Sequence, residues 1–330
     1  MSYIINGIQQ IGIGVTNAKT VFNWYKKTFG FDILVFEDKS EAKLMVKYTN
    51  DEVMSRYALL SMNMKGGGGL EIWQFTNRVP MPQVQDFKLG DFGINMMKLR
   101  NSSITDNSYL LDPWSNWVQI VKDDYTFCEC NNGRGGVMGA VIGVSNMEKS
   151  LLFYQNLFGF DCIVFDEVGK FKEFESIPSG SEKFRRVLLS QSTTETGGFG
   201  NLLGPFQLEL IQALERSPNK IYKNRLWGDL GYIHLCFDVA GMNSLKKTSE
   251  GLGYSFTVDS SNSFDMGEAA GRFAYVEDPD GTLIELVETH KVPILKKLGI
   301  YINLKKRNPR KPLPNWIVKA MRIHRRKKDL

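Results

Sequence analysis

Residues 15–37, VTNAKTVFNWYKKTFGFDILVFE, return as residues 144–166, VSNMEKSLLFYQNLFGFDCIVFD, at an offset of 129 with no gap. Tyr25 falls on Tyr154, Gly30 on Gly159 and Phe36 on Phe165. Self-similarity over this length obliges the chain to build one supersecondary unit at least twice. A unit too small to close its own core must then bury an apolar face against its copies.

Each copy reads as strand, helix, strand. Ile11, Ile13 and Val15 alternate with small or polar residues, the period-two pattern of a strand with one buried face. Thr16-Asn17 and Ser145-Asn146 supply side chains that can cap a helix start. Phe22, Tyr25 and Phe29 follow at helical spacing, and Gly30 is placed as a C-cap glycine. The apolar run from Phe31 to Phe36 is the next strand.

A second kind of segment follows each copy. Near the end it opens with Ile233-His-Leu-Cys-Phe-Asp-Val and closes with Val276-Glu-Asp-Pro-Asp-Gly-Thr-Leu-Ile-Glu-Leu-Val-Glu, where Asp-Pro-Asp-Gly marks a tight turn between two strands. Its earlier partner is Leu111-Asp-Pro-Trp-Ser-Asn-Trp-Val-Gln-Ile-Val. His234 lies 44 residues before Asp278, but fewer than 20 separate the strand around Ile94 from Asp112, so in the earlier copy a helix and a strand are reduced or missing. The chain therefore reads as four modules, full, truncated, full and full, with boundaries near residues 80, 131 and 220. The corresponding domains are 1–130 (first and second modules), 131–290 (third and fourth) and a C-terminal extension, 291–330.

The Asn-capped helix ending in an aromatic-rich Phe-Gly-Phe run, with the later Asp-Pro-Asp-Gly turn and Ile-Glu-Leu strand, resembles the vicinal oxygen chelate superfamily of glyoxalase I, bleomycin-resistance proteins and extradiol dioxygenases. The matching motifs cover most of residues 8–290. The resemblance implies an α+β fold of tandem βαβββ modules whose curved mixed β-sheets form cups. It also implies a metal ligand from the first and the last strand of a module, at positions facing into the cup. The helix aromatics are scaffold.

Carried over by register, the resemblance implies Gln10 and Glu71 in the first module and His234 and Glu285 in the fourth. The third offers Glu209 but Gly139, which cannot ligate; the second offers Gln119 and no histidine. Pairing modules three and four gives Glu209, His234 and Glu285; pairing one and four gives Gln10, Glu71, His234 and Glu285. Either set suits a divalent ion such as Zn, Ni, Co, Fe or Mn.

The family's chemistry then implies a glyoxalase-type isomerase, epimerase or lyase acting on a small oxygenated substrate. A metal-stabilised enediolate forms as a carboxylate, Glu285 or its counterpart Glu71, takes a carbon-bound proton. Positions that help hold glutathione in glyoxalase I carry Gly14 and Phe75 here, which argues against a glutathione hemithioacetal. A non-catalytic, bleomycin-resistance-like binding protein is the alternative, with Trp73, Trp114, Trp117 and Trp227 as candidate lining residues. A ring-cleaving dioxygenase ranks third: its two-histidine facial triad would need His290 to fold back beside His234.

Cys128, Cys130, Cys162 and Cys236 show neither zinc-site spacing nor the density of a disulfide scaffold. With no basic leader and no apolar stretch long enough to span a bilayer, a cytoplasmic chain without a membrane span is expected. The glycine runs 66–69 and 197–200 lack phosphate-loop context and are read as flexible hairpin connections able to serve as a lid. Residues 291–330 hold 14 of the 41 Lys and Arg but one of the 36 acids, so the tail is +13 and the body −8. Trp316, Ile317, Ala320, Met321 and His324 sit at helical spacing after Pro314 among those cations; such a basic amphipathic helix can meet an anionic membrane surface or nucleic acid, and the favoured reading is that it packs across the acidic body or a dimer partner. The expected partner is a small molecule and not nucleic acid; a homodimer is left open.

Overall fold

A computed structural model describes residues 3–130, 133–193, 197–261, 264–265, 270–295 and 300–330. The first module comprises β1 (Ile4–Gly14), α1 (Ala18–Phe29), β2 (Ile33–Glu41), β3 (Ser55–Met62) and β4 (Gly69–Phe75). The second holds β5 (Gly93–Asn101), β6 (Ser108–Leu111) and β7 (Trp117–Lys122), with no helix among the described residues. The third repeats the first as β8 (Arg134–Gly143), α2 (Met147–Phe158), β9 (Cys162–Gly169), β10 (Phe184–Ser190), a short α3 (Gly200–Leu203) and β11 (Gln207–Ala213). The fourth runs through β12 (Gly231–Ala240), α4 (Met242–Gly251), β13 (Val258–Asp259), β14 (Phe264–Asp265), β15 (Ala270–Glu277) and β16 (Leu283–Thr289). The tail adds β17 (Lys291–Leu295), β18 (Ile300–Asn303) and α5 (Asn315–Lys319).

The repeated helices begin and end as their sequences dictate. Asn17 Oδ1 accepts the Thr20 amide and Asn146 Oδ1 the Lys149 amide, each at 3.0 Å. Gly30 and Gly159 close the helices in the left-handed region, at φ 77° and 68°, where a Cβ would be strained. Each helix then ties down the module that follows it. Tyr25 donates to Asp112 at 2.6 Å and Tyr154 to Asp278 at 3.0 Å, so the helix tyrosine and the Asp-Pro turn are two halves of one joint.

The strands pair on a different plan. One nine-stranded sheet has the path β13-β15-β16-β12-β1-β4-β3-β2, with β14 beside β15; the other, seven-stranded, runs β6-β7-β5-β8-β11-β10-β9. First and fourth modules thus share one curled sheet, second and third the other. The division at 130/131 does not separate the sheets, since each takes strands from both sides of it. Alternation then assigns the faces. Ile11, Ile13, Leu70, Ile72, Leu235, Phe237, Ile284 and Leu286 enter a buried core shared with α1 and α2, while the residues between them face the concave side.

The glycine run 66–69 is a packing device and not a lid. All of residues 66–69 are buried. Gly68 and Val137 exchange backbone hydrogen bonds of 2.7 and 2.9 Å, joining the two sheets. A Cβ on Gly67 would lie 2.6 Å from the Gly136 backbone, so only glycine permits this approach. The tail packs across the body: Leu313 and Val318 are buried with Ile33, Met62 and Leu202, and Arg325 reaches Asp32 at 3.0 Å. All four cysteines are unpaired.

Candidate metal centre

Across the ladders of the first sheet, Gly12 on β1 faces both His234 on β12 and Glu71 on β4. One step along, Cys236 faces Gln10 and Glu285. Directly paired residues share a sheet face, so side chains separated by up to 275 positions converge in the cup. Gln10 Nε2 donates to Glu71 Oε2 at 3.1 Å and to Glu285 Oε2 at 3.2 Å. His234 Nε2 lies 3.2 Å from Glu71 Oε2 and 3.1 Å from Glu285 Oε2.

The imidazole is wholly buried. Tyr275 Oη holds Nδ1 at 3.2 Å. Although Nε2 is close to both carboxylates, neither contact is aligned as a hydrogen bond, so this buried nitrogen has no hydrogen-bond partner. A Cβ at residue 12 would lie 2.5 Å from His234 Cε1, so Gly12 is the gap that admits the ring.

The charges are mutually dependent. Burial disfavours the imidazolium, yet Glu285 and Glu71 outweigh it and push the His234 pKa up to about 10. Burial raises the Glu285 carboxyl, but His234 and Tyr275 hold it below the ordinary carboxylate range. Cys236 stays a thiol, because burial and Glu285 push it well up. Two carboxylates here demand one positive charge, which a proton on His234 or a divalent ion can provide.

The donor set fits the ion. Ligand atoms of Glu71, His234 and Glu285 all lie within 4.8 Å of one another. An ion with bonds of about 2.1 Å separates its neighbouring ligand atoms by roughly 3.0–3.4 Å. The 3.1 and 3.2 Å spacings about Nε2 match that range, and the misaligned nitrogen is what an imidazole arranged for a metal leaves behind. Gln10 can contribute its amide oxygen after a flip.

Gln10, Glu71 and Glu285 floor a cavity of about 890 Å³, walled by Trp73, Trp227, Phe36 and Phe273, with His234 buried against the two carboxylates. Trp73 and Trp227 meet edge to face at 4.1 Å, and Arg56 lies 5.0 Å over Trp73 while pairing with Asp38 at 2.9 Å. Trp114 instead packs on Trp24, and Trp117 on a core cluster of the second sheet. His324 and Arg326 reach the cavity from the tail. Sequence reasoning missed these two and also Tyr275; only the tyrosine carried a signal, one strand before Glu285 in the terminal hairpin.

Glu209 does not join this group. Its carboxylate is buried in the second sheet, 2.8 Å from Lys98 Nζ and 2.8 Å from Arg186 Nη2. Burial opposes its charge, but Lys98 and Arg186 hold its carboxyl below the usual range. Nor does His290 fold back to the cup: its Nε2 is 2.9 Å from Glu288 Oε2, and Glu288 Oε1 accepts the Gly241 and Met242 amides at the start of α4.

Two curled sheets of βαβββ modules, one with an imidazole and two carboxylates converging at its floor, define a two-cup glyoxalase-like fold. No family model matches the chain. Glyoxalase I of Saccharomyces cerevisiae is 26% identical over 184 residues, covering 55% of this chain and 52% of that protein. Lactoylglutathione lyase of Schizosaccharomyces pombe is 25% identical over 199 residues, 58% of this chain and 57% of that protein. The chain thus spans about half the length of the curated relatives it matches. Glyoxalase I from Zea mays superposes with a TM-score of 0.51 at 12% identity, covering 98% of this chain and 96% of that one. A putative dioxygenase from Bacillus subtilis gives 0.52 at 13% identity, with 87% and 86% covered. The chain is thus similar in sequence to a curated glyoxalase I and a curated lactoylglutathione lyase over about half its length and has the fold of the vicinal oxygen chelate superfamily.

Proposed function

We propose that the chain is a metal-dependent enzyme of glyoxalase type, an isomerase, epimerase or lyase, that moves a proton on a small oxygenated substrate held in the first cup. The observation that carries the reading is the convergence of Gln10, Glu71 and Glu285 at the floor of the cavity with the buried His234 against both carboxylates. A divalent ion held by these four would supply Lewis-acid stabilisation of the negative charge that develops on a substrate oxygen when the adjacent carbon loses its proton.

Glu285 is the base. Its carboxylate is kept charged by His234 and by the hydroxyl of Tyr275, and it lines the cavity. Glu71 also lines the cavity, which supports it as the group that returns the proton. Trp73, Trp227 and Phe273 exclude water and orient the apolar part of the substrate. Gly14 and Phe75 stand where glyoxalase I has a basic residue and an asparagine, and a Cβ on Gly14 would lie 1.9 Å from the Asp229 carbonyl oxygen, so no longer side chain fits there. This supports a substrate other than a glutathione hemithioacetal.

The test is solvent deuterium exchange, followed by NMR, at the carbon beside the carbonyl of 2-oxo acids, hemithioacetals and acyl thioesters, using metal-loaded protein. The reading expects exchange with at least one class, lowered by roughly 10²–10⁴-fold in Glu285→Gln. Ligands that bind in the cavity with no exchange, in either protein, would replace it with a binding role.

A further inference from the structure

The tail offers a surface that neither the core nor the cup uses. Its inner side is fixed: Leu313 and Val318 are buried, the Arg326 amide donates to the Asp32 carbonyl at 2.8 Å, and Asp329 pairs with Lys26 at 2.9 Å. Its outer side carries two large apolar groups in water, Trp316 at 67% exposure and Ile323 at 80%. They lie seven positions apart on the helical stretch formed by α5 and the 3-10 turn Ala320–His324, and both are turned to solvent. Arg322, Arg326, Lys327 and Lys328 are exposed around them.

Two features of this surface select its partner. A +13 tail on a −8 body is attracted to an anionic surface and turns its basic side toward it. Nucleic acid would satisfy the cations and could stack on Trp316, but it leaves Ile323 in water. A bilayer satisfies all three kinds of group: indole at the headgroup level, the branched alkyl group just beneath it and Lys and Arg among lipid phosphates. No helix among the described residues is long and apolar enough to cross a membrane, so the contact is peripheral.

We propose that the outer face of the C-terminal tail is a peripheral docking surface for an anionic phospholipid bilayer, with Trp316 and Ile323 entering the interface. Because His324 and Arg326 also line the cavity, docking brings the cavity close to the lipid surface. The proposal does not depend on the chemistry assigned to the cup.

The experiment is flotation of the full chain with vesicles of phosphatidylcholine alone and of phosphatidylcholine mixed with phosphatidylglycerol. The wild type is expected to float with the mixed vesicles only. Joint replacement Trp316→Ser and Ile323→Ser should lower the partition coefficient about tenfold or more without lowering the melting temperature, since both side chains are exposed. Brominated lipid should quench a tryptophan component that is missing in Trp316→Phe. Failure to float overturns the proposal, as does binding unchanged in the double variant. Tighter binding to RNA than to the mixed vesicles, or self-association that requires Trp316, would assign the face to those partners instead.

Discussion

The two cups are built on one plan, and their differences explain which of them can hold an ion. Matched through the strand ladders, Gln10 corresponds to Gly139, His234 to Met96, Cys236 to Lys98, Glu285 to Gln119, and Ala58 to Arg186. Glu71 and Glu209 are the acids both cups keep, and the tyrosine is kept as well: Tyr275 faces Glu285 and Tyr109 faces Gln119. In the second cup the positive charge is covalent. Lys98 sits against Glu209, and Arg186 lies 4.3 Å over the Phe174 ring. In the first cup Cys236 and Ala58 stand in place of the two cations, a cavity lies over Glu71 and Glu285, and the charge these acids require must come from a proton or an ion. An inherited carboxylate can thus be kept by changing what neutralises it.

The largest expected effect comes from removing the shared acid in each cup. Glu209→Gln leaves Lys98 and Arg186 buried beside a neutral group and should lower stability by about 3–5 kcal/mol in chemical denaturation. Glu71→Gln still leaves Glu285 for the single imidazole and should lower metal-free stability by less than about 1 kcal/mol. Equal losses would mean that the cups are not neutralised differently.

A smaller effect separates the cups by pH. In metal-free protein the folded-state pKa of His234 is raised to about 10, so its stabilising contribution is full below the unfolded value of about 6.5 and is lost as pH rises toward 10. Glu209 is shifted the other way, and its contribution is present above about pH 4.3 and lost as pH falls below that. Melting temperature against pH should lose its alkaline decline in His234→Gln and its acid decline in Glu209→Gln. An alkaline limb unchanged by His234→Gln would contradict the arrangement described for the first cup.

The fold was largely legible because the 129-residue repeat carries its own caps, helix aromatics and turn signals. Gln10, Glu71, His234 and Glu285 entered as candidates through the family resemblance, which carries their register over; period-two alternation explains why positions in that register face one side of the sheet. Sheet partnership was not, because β1 can meet β12 only across more than 200 residues and no local pattern encodes that choice. Glu209 stood as a candidate because its neutralising partner Lys98 is 111 residues away on β5, although a lysine inside the apolar run Ile94–Leu99 was a readable sign of a buried charge seeking an acid. His324 and Arg326 were invisible as cavity residues, since their place depends on how the tail docks.

The most direct test of the difference between the cups is metal stoichiometry, measured by mass spectrometry after saturation with Mn, Co, Ni or Zn and removal of free ion. The wild type should retain about one ion per chain, His234→Ala none, and Gln119→Ala, altered in the second cup, about one. Two ions per chain, or an ion kept by His234→Ala and lost by Gln119→Ala, would contradict a centre confined to the first cup.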